Sequence, residues 1–102
     1  MELARVIGTV VASRKEPRLE GFKILMVQLA DPCGEPDGAV VVALDSVGAG
    51  VGELVLLVRG SSARLACDLE NYPVDAVILG IVDRVTLDGS LTFEKGREPA
   101  TG

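Results

Sequence analysis

Histidine and tryptophan are absent from this 102-residue chain, and its aromatic side chains number three, Phe22, Tyr72 and Phe93. Without histidine there is no Ser-His-Asp triad and no Cys-His nucleophile pair. Ser61 and Ser62 have no visible base to activate them. Two cysteines, Cys33 and Cys67, fall short of the set a structural zinc site needs, so no metal and no cofactor are expected. Apolar runs are short, such as Ala39 to Leu44, and none approaches the ~20 residues of a membrane helix. The start, Met1-Glu2-Leu3-Ala4-Arg5, lacks a charged-then-apolar export segment. Both cysteines are therefore expected to be reduced, with no membrane partner. Basic residues are in deficit: the net charge is −5 and the pI about 4.6. Nucleic-acid binding needs a basic footprint, so nucleic acid is not an expected partner.

Aliphatic side chains take the place of what is missing. Valine, leucine and isoleucine number 15, 13 and 4, and the mean hydropathy is +0.38. A domain this small buries only roughly 60–68% of the surface of its unfolded chain. A composition this oily leaves apolar surface outside a single subunit's core, and such patches usually mark contacts with partners. A homo-oligomer is the simplest outcome; an aliphatic-rich monomer is the plainer alternative.

The hydrophobic pattern has the period of strands. Leu3 to Val11, Lys23 to Leu29, Ala39 to Leu44 and Leu54 to Arg59 read as four strands. Arg14 to Glu20, with Pro17, reads as a loop, and Asp31 to Gly38, with two prolines and two glycines, as turn or loop throughout. Ala63 to Leu69 is expected to form about two helical turns, with Ser61 or Ser62 as N-cap and Asn71-Tyr72-Pro73 as the stop. Val74 to Leu87 is too long for an ordinary strand and is expected to bend near Gly80. Asp88-Gly89 signals a two-residue hairpin, with Ser90 to Phe93 returning as a short strand. The polar tail from Glu94 to Gly102 is expected to be mobile. Five or six short strands and one short helix suit a small closed barrel of the oligonucleotide/oligosaccharide-binding (OB) kind.

Residues 45–53 read Asp-Ser-Val-Gly-Ala-Gly-Val-Gly-Glu. Three glycines at alternate positions suit a loop of special backbone shape or close approach. The apolar run after it is a strand and not a helix, and the Gly-Lys-Ser/Thr ending of a phosphate loop is missing. The spacing also fails the dinucleotide fingerprint. Asp75 and Asp83, eight apart on one expected strand, would share a face but stand some 26 Å apart, too far for acid–base work. Turn-capping or pairing with Arg5, Arg59, Arg64 or Arg84 is the expected use of such carboxylates.

Several stretches together resemble the bacterial microcompartment vertex-protein family. They are Leu3-Ala4-Arg5-Val6-Ile7-Gly8-Thr9-Val10-Val11-Ala12, Leu19-Glu20-Gly21-Phe22-Lys23-Ile24-Leu25 and Val42-Ala43-Leu44-Asp45-Ser46-Val47-Gly48-Ala49-Gly50-Val51-Gly52-Glu53. To these add Gly60-Ser61-Ser62-Ala63-Arg64 and Pro73-Val74-Asp75-Ala76-Val77-Ile78-Leu79-Gly80-Ile81-Val82-Asp83. The resemblance implies a mainly β, five-stranded, OB-like closed barrel over residues 1–87 with one short α-helix, and a partly mobile C-terminal hairpin and tail over 88–102. It implies a cyclic homopentamer, a structural and non-catalytic part of a shell in the bacterial cytoplasm, with hexameric shell proteins as partners. Val47, Gly48, Ala49, Gly50, Gly52, Glu53, Gly60, Ser61, Ser62 and Arg64 are then the expected subunit-interface or pore-loop residues. Two other readings compete. A barrel of this kind also binds single-stranded nucleic acid through stacking aromatics and a basic groove, neither of which this composition supplies. A small-ligand site between subunits lacks a visible reactive set.

Overall fold

The computed structural model describes residues 1–13, 17–60 and 75–96, the side chain of Arg18 excepted. Strand β1 (Glu2–Val10) alternates as its sequence does: Ala4 and Val6 are fully buried, while Leu3 and Arg5 lie half-buried on the outer face. A 3₁₀ turn over Pro17–Leu19 leads into β2 (Lys23–Ala30). A hairpin connects β2 to β3 (Pro36–Asp45), and the glycine loop connects β3 to β4 (Leu54–Arg59). β5 (Ala76–Ile81) completes a closed barrel in the order β1-β2-β3-β5-β4. Every ladder is antiparallel except β3 with β5, which is parallel and short: Leu44 faces Val77 and Asp45 faces Ile78.

The barrel is filled from all five strands. Val6, Leu25, Val27, Val55, Leu57 and Ile78 are at most 1% exposed and pack as one cluster with Ala49 of the glycine loop. A second cluster lies on the outer surface, where Leu44, Val58 and Val77 pack with Leu19, Phe22, Ile24 and Leu79. Strands that bury both faces read as nearly unbroken apolar runs, which is why β4 and β5 show no polar alternation.

Three expectations are corrected. The turn after β2 is shorter than the sequence suggests, because the Asp31 carboxylate closes it: Oδ1 accepts from the amides of Cys33 (2.8 Å) and Glu35 (3.0 Å). Pro36, Asp37 and Gly38 therefore belong to β3. Proline is tolerated there because it opens the strand, where an absent N–H costs little. The long run after residue 74 breaks at Val82-Asp83 and not at Gly80. Gly80 stays inside β5, opposite Leu56, where an added Cβ would come within 3.3 Å of Leu56 Cδ1. Asp75 and Asp83 accordingly flank β5 and do not share a strand.

Strands β6 (Arg84–Leu87) and β7 (Ser90–Glu94) form a separate two-stranded ribbon. Asp88 (φ 52°) and Gly89 (φ 79°) make its turn, both left-handed, as the Asp-Gly pair predicts. Glu94 and Lys95, expected in a mobile tail, are held: Glu94 pairs with Arg84, and the Lys95 amide donates to the Asp83 carbonyl at 2.8 Å. The expected helix over Ala63 to Leu69 lies outside the described residues. No helix among the described residues is long and apolar enough to cross a membrane.

Candidate functional site

The glycine loop is fixed from both ends by hydrogen bonds of the side chains that flank it. Asp45 Oδ1 accepts from the Val47 amide at 3.1 Å, and Ser46 Oγ donates to the Ile78 carbonyl at 2.6 Å. Asp45 itself is buried, and among the described residues its Oδ2 has no hydrogen-bond partner. Glu53 closes the other end: its Oε1 accepts from the Gly50 amide at 2.7 Å while its own amide donates to the Gly50 carbonyl at 3.1 Å. The loop then zips onto β1, with Gly52 N–H on the Val6 carbonyl (2.8 Å) and Val6 N–H on the Glu53 carbonyl (3.0 Å). Lys23 Nζ donates to the Ala49 carbonyl at 3.3 Å. Gly52 stands at φ 94° with open space around its α-carbon, so its requirement is conformational.

This lattice sorts the loop residues. Ala49 is fully buried and plugs the loop into the barrel core. Gly50 and Glu53 are half-buried, and Val47, Gly48 and Gly52 face outward. Val51, which sequence reasoning left out of the set, is 63% exposed; its position between two glycines was the available signal. Gly60 is exposed at the end of β4, and its amide donates to the Asp75 carbonyl at 2.7 Å. Ser61, Ser62 and Arg64 lie outside the described residues.

Beside the loop sits an arrangement that sequence reasoning missed. Arg5 donates through Nε (3.1 Å) and Nη2 to the Gly34 carbonyl and through Nη1 to the Gly52 carbonyl at 2.9 Å. Its guanidinium lies 5.4 Å from the centre of the Phe93 ring, a cation–π distance. One side chain thus joins the glycine loop, the Asp31–Glu35 turn and the hairpin. Gly34 is at φ 80°, and a Cβ there would fall 2.7 Å from both Arg5 Nη2 and Phe93 Cδ2. Lys95 Nζ reaches Glu53 Oε2 at 2.6 Å, and Thr92 Oγ1 donates to the Pro32 carbonyl at 2.6 Å. The Glu53 carboxyl is held below its usual range first by the Lys95 hydrogen bond and then by the Gly50 amide. Arg59 pairs with Glu2 through Nε at 2.7 Å; hydrogen bonding to Arg59 lowers the Glu2 carboxyl, and the Glu2 carboxylate raises Arg59 in return.

The arrangement is a surface preformed by hydrogen bonds between loop, turn and hairpin. No group of three or more metal-ligating side chains occurs among the described residues. What the loop offers outward is glycine backbone and valine methyls, which suit close, dry contact with another protein surface.

Comparison with known proteins agrees. The family model described as ethanolamine utilisation protein EutN/carboxysome matches residues 1–83, the barrel without its hairpin. The chain is 50% identical over 95 residues to the bacterial microcompartment shell vertex protein EutN of Escherichia coli K12, covering 93% of this chain and 100% of that one. It is 48% identical to the carboxysome shell vertex protein CcmL of Gloeobacter violaceus, again over 93% of this chain and 95% of the other. The solved CcmL structure superposes with a TM-score of 0.84 over 93% of this chain and 98% of that one. The GrpN pentameric microcompartment shell protein from Rhodospirillum rubrum, 44% identical, superposes with a TM-score of 0.76 over 85% of this chain and 99% of that one. On barrel, loop and sequence together, this chain belongs to the EutN/carboxysome family of microcompartment shell proteins.

Proposed function

We propose that this chain forms a five-membered ring that occupies the vertices of a closed bacterial microcompartment shell in the cytoplasm. The observation that carries the reading is identity of about half, over 93% of the chain, to proteins named as shell vertex components. A solved relative is itself described as pentameric. The role is structural and non-catalytic, and the partners are hexameric shell proteins. A sheet of hexagons is flat and does not close; pentagons supply the curvature at its corners. Relatives from carboxysomes and from ethanolamine compartments match at nearly equal identity, so the reading concerns the corner and not the cargo.

Within the ring, the exposed glycine loop and the β4 end (Val47, Gly48, Gly50, Gly52, Glu53 and Gly60) form subunit-interface or pore-loop surface, while Ala49, expected in that set, is buried and anchors the loop in the core instead. A rigid, side-chain-poor loop is what a crowded axis requires, since five copies meet there. The test is co-production with a hexameric shell protein. Closed polyhedral particles that require this chain are the expected result; equally closed particles without it would overturn the proposal.

A further inference from the structure

The β6–β7 ribbon is tied to its own subunit at its base, through Phe93 with Arg5, Thr92 with Pro32 and Lys95 with Glu53. Among the described residues, neither of its strands joins the ladders of the barrel. Its register sets Thr86 opposite Leu91 and Leu87 opposite Ser90. Directly opposed residues share a face and successive residues alternate, so Leu87 and Leu91 lie on opposite faces of the ribbon. Each is 50% exposed. A lone two-stranded ribbon is marginally stable in water, and one that is apolar on both faces asks to be covered.

A surface of matching character lies on β3. Val41 and Ala43 point into the barrel, while Val40 and Val42 point out and are 52% and 51% exposed. The strand is apolar on both faces, the pattern of a strand covered on both. β5 meets β3 only at Leu44 and Asp45, so among the described residues no strand runs along Pro36 to Ala43 on that side. An open, apolar edge is one that proteins normally protect.

A five-fold ring joins two different patches of the same chain at each contact. Ribbon and β3 supply two such patches. We infer that the β6–β7 ribbon of each protomer lies against the outer face and open edge of β3 in the next protomer, with the Leu91 face of the ribbon covering Val40 and Val42. The inference rests on the ring proposed above and assigns its joining surfaces. The ribbon then acts as an arm, and Arg5 fixes its shoulder by holding Phe93 and the Gly34 carbonyl at once.

The experiment is cross-linking in a Cys33→Ser, Cys67→Ser background that carries Leu91→Cys with Val42→Cys, treated with a short bismaleimide. A ladder of covalent species from two to five chains is expected, absent from either single-cysteine variant. In parallel, Leu91→Asp is expected to raise the concentration at which the ring falls apart roughly ten-fold or more, with the far-ultraviolet spectrum of the barrel unchanged. A ring of five that gives no ladder, or that keeps its dilution stability with the aspartate, overturns the assignment of these surfaces while leaving the ring intact. A background protein that is not pentameric overturns the ring and the arm together.

Discussion

Gly34→Ala isolates the joint between barrel and hairpin. Two separate costs fall on it. The residue sits at φ 80°, and a left-handed conformation costs an L-residue about 1–2 kcal/mol. The new methyl would also stand 2.7 Å from Phe93 Cδ2 and from Arg5 Nη2. The arginine tip can swing away, but only by giving up its bonds to the Gly34 carbonyl. The Phe93 ring is 5% exposed and must move outward, losing part of the ~1.5–3 kcal/mol that burying such a side chain contributes. Together the expected loss is about 2–4 kcal/mol. Gly21→Ala is the control: its φ is 88°, and nothing lies within 4 Å of the added carbon, so about 1–2 kcal/mol is expected from backbone alone. Urea denaturation of both variants at one protein concentration separates the two costs. Limited proteolysis should also cut the hairpin of Gly34→Ala faster. Equal losses for the two variants would refute the claim that Gly34 is needed for close approach.

Other consequences follow from the same geometry. Ile78→Ala removes a fully buried barrel side chain and is expected to cost about 2–5 kcal/mol, read as a lower denaturation midpoint. Because the Glu53 and Glu2 carboxyls are held below their ordinary value of 4.5, their contribution to stability is complete above that pH. It is lost as pH falls through the depressed values, so a melting profile should drop on the acid side, and Glu53→Gln should flatten part of the drop. Gly50→Leu is expected to lower the yield of rings in light scattering while leaving subunits folded. Inside the subunit, the first added carbon makes only an ordinary 3.4 Å contact with Glu53 Oε1, so crowding must come from neighbours; a variant that assembles as well as the parent would refute crowding there.

The strands were legible where burial follows period or run length. β4 matches its expected span residue for residue, β1 is shifted by one residue at both ends, and β2 runs one residue longer than expected. Turn chemistry hid the start of β3: the Asp31 side chain closes the turn early, and Pro36 and Gly38 looked like loop because their pairing with β2 is set by tertiary contact. The glycine loop could be picked out by composition. Which glycines need left-handed backbone, Gly48 and Gly52 but not Gly50, depends on hydrogen bonds to β1 that no local pattern announces. Arg5 is the clearest case of illegibility. In an alternating strand it reads as a surface charge, yet it binds carbonyls 29 and 47 residues away. Such pairing is a property of the closed barrel, not of spacing. Lys95 with Glu53 was missed for the same reason.

The central claim is that this subunit hides its oily exterior by closing a ring of five. Native mass spectrometry of the purified chain tests it most directly. A single species of five 10.6 kDa chains, about 53 kDa, is the result expected for a closed five-fold ring; a stable monomer, or a ring of any other number, would contradict it.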